Sequence, residues 1–460
     1  MGTSSSARKP QIKLGLFIYP NGHHVASWRH PDATADGHLN FEHYRRLVEL
    51  GERAKFDTVF LADSAGIHGR ETDVLSRTAH GFSQYEPITL LSSLAAITRN
   101  IGLVATASTS FNEPYNLARK FASLDHLSGG RAGWNIVTSS NLFEAKNFNL
   151  EEHYAHADRY ARAEEFVDVV TGLWDSWDDD AFIRDKTTGR NFDPAKLHVL
   201  NHRGAHYSVR GPLNVARPPQ GYPVLVQAGS SDAGQELAAR TSEVIFTAHT
   251  SLANARAFYA SLKGRLHKYG RTPDQVKIMP GVQAWIGRTE QEARDKYERI
   301  TALIQPEVGL SLLSALLGNF DLSPYPVDGP LPFDDLPSTN GSPSRQQVMI
   351  DLARRENLTI RQLYEAIAGA RGHWTVIGTP VQVADQLEEW FVKQGADGFN
   401  VMAPYLPGGL EDFANLVIPE LQRRGLFRTE YEGRTLRENL GLARPVSRHA
   451  RARQNTAVLA

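Results

Sequence analysis

The chain contains no cysteine. Disulfides, thiolate metal sites and a cysteine nucleophile are therefore excluded together. No apolar run approaches the ~18 residues that span a bilayer. The opening MGTSSSARKP lacks the apolar core of a secretory signal, so a cytoplasmic protein is the expectation. An excess of one charge is missing too: 50 Lys+Arg against 51 Asp+Glu leave a formal net charge of -1. No block of like charge precedes the mildly basic stretch Arg444–Arg453, which reads as a solvated end. Neither nucleic acid nor an anionic membrane is expected as a partner. The nucleophile elbow GxSxG, the dinucleotide turn GxGxxG and the phosphate-loop lysine motif are also absent.

What is present is a repeated alternation of short apolar runs and amphipathic stretches. Strands are predicted over 12–19, 58–62, 101–107, 132–138, 223–228, 244–248, 276–286 and 398–403. Helical patterns follow, including 41–55, 157–174, 232–240, 252–269, 290–304, 380–393 and 410–424. Eight strand–helix pairs in series predict an α/β chain closed into one (β/α)8 TIM barrel, with an open doubly wound sheet as the alternative. Two stretches break the rhythm, about 178–221 and 306–372. They read as loop insertions in a single domain spanning residues 1–460, with a C-terminal extension beyond Leu426. The second insertion is expected either to cover the pocket as a lid or to pack Leu312, Leu313, Leu316 and Leu317 as a small core.

In a parallel barrel, functional groups lie just beyond the C-terminal ends of the strands. Those positions hold His23, His24, Trp28 and His30 after the first strand, and Asp63 after the second. Thr106 ends the third, Ser139 follows the fourth, and Ser230, Ser231 and Asp232 follow the fifth. The turn Ala228–Ser231 leads from an apolar strand into a helix, whose free N–H groups and dipole can seat a phosphate. Each residue has a plainer reading: Asp63 can cap a loop, and Ser231 can cap its helix. His156 and Tyr160 stand four apart at a helix start, where Asp158 is placed to cap. A metal centre is not expected. His153 and His156 lack a carboxylate pair or third histidine at suitable spacing, and adjacent His23 and His24 would point to opposite faces of a strand. The rim acids Asp63 and Glu86 have no partner for glycoside hydrolysis, and Glu86-Pro87 reads as a helix start. A phosphate seat on a polar rim suits a cofactor that brings its own reactivity.

RAGWNIVTSSN from Arg131 resembles the signature of the bacterial luciferase-like flavin-dependent monooxygenases. The similarity is to the branch of nitrilotriacetate, dibenzothiophene sulfone and long-chain alkane monooxygenases. WRHPD from Trp28, KFDTVFLADS from Lys55, SLDHLSGGRAGWN from Ser123 and HADRYARAEEF from His156 belong to the same pattern. So do QGYPVLVQAGSS from Gln220, ADGFNVMAPYLPGG from Ala396 and RGLFRTEYEGRTLRENLGL from Arg424. The match runs from about Gln11 to Leu442. It departs from the alkane enzyme, which has a cysteine near the first strand, and this weakens an assignment to alkane oxidation.

The resemblance implies a (β/α)8 barrel that takes reduced FMN as co-substrate from a separate NAD(P)H-dependent flavin reductase. It places FMN contacts at Asp63, Thr106, Asn135, Ser139, His156, Tyr160, Ser230 and Ser231. His156, Tyr160, Ser230 and Ser231 would hold the phosphate. Asp63, Thr106 and Ser139 would lie nearer the ring and ribityl chain. The expected reaction is oxygenation of a small organic substrate by reduced FMN and O2, with cleavage of a C–N, C–S or carbon–halogen bond. His23, His24, Trp28, His30 and His373 are the candidates for proton control or substrate contact. A homodimer or higher homo-oligomer is the expected assembly. A non-catalytic flavin-binding subunit or sensor, and a deazaflavin-dependent oxidoreductase, are the alternatives on this fold.

Overall fold

A computed structural model describes residues 10–67, 72–79, 84–339 and 343–459. The N-terminal segment 1–9, read above for a signal, lies outside them. Eight parallel strands close a barrel: β1 (Lys13–Phe17), β2 (Thr58–Leu61), β3 (Gly102–Ser108), β4 (Ala132–Val137), β5 (Val224–Gln227), β6 (Val244–Thr247), β7 (Lys277–Ile286) and β8 (Gly398–Met402). Closure runs β8 to β1, with Lys13 opposite Gly398 and Phe17 opposite Met402. The open-sheet alternative is thereby excluded. All eight lie within a residue or two of the positions that the apolar runs predict.

The runs are nearly continuous because both faces of each strand are covered. Phe17, Phe60, Val104, Val226, Phe246, Met279 and Met402 form an inner cluster. Leu14, Leu16, Val59, Leu61, Leu103, Ala105, Trp134 and Ile136 pack outward against the helical shell. That shell includes α1 (Phe41–Arg53), α2 (Pro87–Ala95), α3 (Pro114–Leu127), α4 (His156–Trp174), α5 (Asp232–Thr241), α6 (Leu252–Arg265) and α7 (Glu290–Thr301). Glu86 accepts from the N–H groups of Ile88 and Thr89 and so caps α2, as its Pro neighbour suggests.

A ninth strand, Trp374–Gly378, lies outside the sequence-based set. Val282 of β7 is paired with Trp374 on one edge and Val401 on the other. The extra strand therefore continues the edge that β6 occupies lower down, where Val244 pairs with Lys277. At the opposite end of the barrel, Leu436, Leu440 and Leu442 of the C-terminal extension join the inner cluster. A Cβ on Gly102 would come within 2.5 Å of Leu436, so glycine at the foot of β3 lets the extension plug the floor.

The second insertion carries α8 (Pro306–Leu316), α9 (Pro343–Glu356) and α10 (Ile360–Ile367); α11 (Pro380–Val392) then returns to the shell. Leu313 and Leu317 are fully buried with Met349, Leu363 and Ile367, and Leu312 and Leu316 flank them. The four leucines thus pack as a small core within the insertion. The first insertion holds a short antiparallel ribbon, His202–Arg203 with Ser208–Val209.

Candidate functional site

The fifth strand ends in the small-residue turn that the sequence singles out. Ser231 is the N-cap of α5 and accepts from the Gly234 N–H at 3.2 Å. Its hydroxyl also lies 3.5 Å from the Tyr160 hydroxyl. A Cβ on Gly234 would stand 3.0 Å from Gly229 and 3.1 Å from the Tyr160 oxygen. Glycine at these positions lets strand end, helix start and tyrosine converge. Helix α4 begins at His156, and the rings of His156 and Tyr160 lie 4.8 Å apart. Asp158 does not cap α4: Ala155 holds that position and supplies no side-chain bond. Asp158 sits one turn in, where its charge still favours the helix dipole.

Arg159, absent from the sequence-based set, adds a cation to this corner. It is 2% exposed, and burial lowers its pKa. Burial, then the Arg159 charge, lowers the pKa of both His153 and His156. The seat is therefore not purely uncharged, and its electropositive field suits an anion. Arg159 lies inside the segment HADRYARAEEF, but its burial is a tertiary property that spacing alone does not reveal.

Between this corner and β2 the rim is neutral and hydrogen-bonded. Thr106 and Asn135 are register partners on β3 and β4, and the Asn135 amide donates to the Thr106 hydroxyl at 2.8 Å. The Asn135 Oδ1 is buried and accepts no hydrogen bond from the described residues. Ser139 takes a left-handed φ of 48° and donates to the Ser108 hydroxyl at 2.9 Å. Such a conformation in a non-glycine residue is uncommon and concentrates at functional turns. Asp63, two residues beyond β2, accepts from the Gln84 amide at 3.3 Å. Burial, with smaller contributions from Glu86 and Glu144, pushes its pKa up to about 6.

The histidines occupy the other side of the mouth. His23 and His24 follow β1 in a turn, not on the strand itself. His23 donates through Nε2 to the Phe17 carbonyl at 2.9 Å, which leaves Nδ1 to accept from Arg371 at 3.4 Å. His373 stacks on Phe246 at 4.8 Å and donates through Nδ1 to the Thr247 carbonyl at 3.1 Å. Its Nε2 accepts from Arg345 at 2.8 Å. Each ring thus has one tautomer fixed by a carbonyl and its second nitrogen facing a guanidinium. Burial, then the charges of Arg345, His23 and Arg371, holds His373 well below the ordinary histidine range. A Cβ on Gly281 would lie 2.4 Å from His373 Nδ1, so glycine in β7 admits this ring to the barrel. His24 accepts from the Ala26 N–H, and burial followed by the Arg371 charge lowers its pKa to about 3.

Two candidates do not join this group. Trp28 donates its ring N–H to the Arg77 carbonyl at 3.2 Å, and His30 stacks on Tyr405 at 4.3 Å. Both pin the loop after β1. Conversely, Arg345 and Arg371 were invisible in the sequence, which shows only an Arg-Gly pair before His373; the structure holds both residues of that pair at left-handed φ. A shallow surface cleft of about 330 Å³ is lined by Tyr297, Glu298, Gln362 and Glu365. These come from α7 and α10, not from strand ends.

Comparison with known proteins agrees with this architecture. The luciferase-like monooxygenase family model matches residues 21–398. Nitrilotriacetate monooxygenase component A of Aminobacter aminovorans is 54% identical over 95% of this chain and 97% of its own. N-acetyl-S-(2-succino)cysteine monooxygenase of Bacillus subtilis (strain 168) is 53% identical over 97% of this chain and 100% of its own. Among solved structures, riboflavin lyase with modified FMN and its substrate riboflavin superposes with a TM-score of 0.85. It is 33% identical, covering 95% of this chain and 98% of that one.

Proposed function

The chain belongs to the luciferase-like monooxygenases, and from that premise we propose that it uses reduced FMN and O2 to oxygenate a small organic substrate. The observation that carries the reading is the anion seat at the start of α5. There the Ser231 and Tyr160 hydroxyls meet, and the buried Arg159 interacts electrostatically with Tyr160. Ser230, Ser231, His156 and Tyr160 would hold the phosphate, with Arg159 added to them. The buried Asn135 Oδ1 without a donor suits a ring or ribityl group that supplies one. Asp63, Thr106 and Ser139 line the same rim, and aromatic Phe17, Phe60 and Phe246 give the interior an apolar wall. These residues fit FMN.

Bound FMN would supply the oxygen chemistry. The chain's own groups would exclude water, orient the ring and hold protons in fixed places. His373, held well below the ordinary histidine range, and His23, with Nε2 tied to the Phe17 carbonyl, are suited to substrate contact more than to bulk proton exchange. One relative is named as a component A, which supports a separate partner. An NAD(P)H-dependent flavin reductase is the partner this chemistry needs. Cleavage of a C–N, C–S or carbon–halogen bond is the proposed outcome.

Anaerobic titration with reduced FMN and reduced deazaflavin tests the cofactor. Tight binding of FMN with product formation on adding O2 and substrate is expected. Preference for deazaflavin points to an oxygen-independent oxidoreductase. FMN binding without any oxygenated product across a substrate screen points to a flavin-binding subunit or sensor.

A further inference from the structure

Arg345 comes from α9 and Arg371 from the turn after α10, so both cations reach the barrel mouth from the second insertion. Arg345 donates to the Arg371 carbonyl and to His373. Arg371 donates to the His23 carbonyl at 3.2 Å and lies over the Tyr19 ring at 4.6 Å. Every one of these partners is neutral. No ion pair to either guanidinium exists among the described residues, although most other arginines near an acid form one. Burial, then the charge of Arg371, lowers the Arg345 pKa to about 10, and the group stays charged at neutral pH.

Lack of a carboxylate is not by itself diagnostic. Arg131 is also buried without one, but it donates to the carbonyls of Ser128, Ile101, Ala95 and Thr98 and to the Thr98 hydroxyl. That set matches the five donors of a guanidinium. Arg345 and Arg371 engage two carbonyls and two imidazole nitrogens between them, and none of their remaining guanidinium nitrogens is both buried and without a partner, so those donors are open to a ligand. Two like charges held together at a half-buried site, with donors still open to the mouth, favour an anion that takes both guanidiniums. Arg371 is also held at a left-handed φ of 50°, followed by Gly372 at 82°. Arg371 and His373 flank Gly372 in this turn, and Arg371 reaches His23 while His373 meets Arg345.

We propose that Arg345 and Arg371 are specificity-determining residues that bind one or more carboxylate groups of the substrate, so that the enzyme acts on carboxylate-bearing amines or thioethers. The substrate's charged end would take the forks of both arginines. Its reacting C–N or C–S bond would then face the barrel interior past His23 and His373. This assignment rests on the monooxygenase reading above for the reaction, but not for the binding of the acid.

The probes are N-acetyl-S-(2-succino)cysteine and nitrilotriacetate, each beside its neutral methyl ester, titrated calorimetrically into the protein with and without FMN. Either acid is expected to bind and both esters to fail. Arg345→Met and Arg371→Met should each weaken acid binding at least about tenfold, the effect of losing a charge-assisted hydrogen bond. Arg345→Lys and Arg371→Lys, which keep charge and fold, should recover part of it. Affinity for reduced FMN should stay within about twofold in all four variants. Esters binding as well as acids, neither acid binding, or unchanged affinity in the Met variants overturns the assignment. Loss of reduced-FMN binding in the Lys variants also overturns it, because the pair then serves the cofactor. Acid binding by a protein that takes no FMN leaves the arginine site standing and removes the monooxygenase reading instead.

Discussion

Around the ends of β2 to β5 the barrel mouth presents mainly serine, threonine and asparagine, with the Asp63 carboxyl and, from α4, the buried Arg159. The side facing β6, β7 and the insertion presents two guanidiniums and the rings of His23, His373 and His249; His249 lies two residues beyond β6 and within the field of Arg345. Burial acts on both sides against the charged form, raising the Asp63 pKa to about 6 and lowering that of His249 to about 4. The strand-end side is held by short bonds within the barrel itself, Asn135 to Thr106 and Ser139 to Ser108. The other side is assembled from segments more than a hundred residues apart, as in the His373 bond to Thr247. A rim built from strand ends is tied to the fold and suits a constant cofactor. A rim supplied by an insertion can change without disturbing the barrel, and that is where substrate choice belongs.

Four substitutions probe this division, in order of expected size. Gly281→Ala places a methyl 2.4 Å from His373 Nδ1 and 2.8 Å from the Met402 sulfur. A stability loss of about 1–3 kcal/mol in urea unfolding is expected, together with weaker acid binding. A silent substitution would mean that His373 is not packed into the barrel. On the strand-end side, Thr106→Val strands the buried Asn135 amide donor and should cost about 1–2 kcal/mol by the same assay.

Asp63 offers a pH-dependent comparison. Its folded pKa of about 6 lies above the ordinary 3.8, so the folded state binds the proton more tightly than the unfolded state does. Its contribution to stability therefore falls as pH rises through that window. Asp63→Asn should flatten the stability profile there by less than about 1 kcal/mol per pH unit, since the carboxyl is partly solvated. A profile unchanged by the substitution contradicts the raised pKa. The smallest effect is expected for Trp28→Phe, which removes only the bond to the Arg77 carbonyl. About 0.5–1 kcal/mol of stability should go, with substrate affinity intact.

The barrel was legible because strands buried on both faces leave apolar runs that no periodicity can disguise. The ninth strand, WTVIG from Trp374, has the same composition but falls directly behind an irregular insertion, where no strand–helix rhythm marks it. Ser231 and Tyr160 could be found from local signals, a turn entering a helix and a four-residue spacing. Arg345 could not: its role depends on His373, 28 residues away in sequence, and on the Arg371 carbonyl. Asp158 misled because a capping residue type stood three positions too far into α4. Local chemistry is written locally, whereas a pair of cations brought together by packing has no sequence pattern of its own.

Reduced-FMN titration of the wild type, Ser231→Asp and Arg371→Met side by side tests the division most directly. Aspartate can still cap α5, so the Ser231 change adds a like charge beside the phosphate seat without removing the cap. The account predicts at least about tenfold weaker FMN binding in Ser231→Asp and a change within about twofold in Arg371→Met. Unchanged affinity in Ser231→Asp, or equal losses in the two variants, would contradict it.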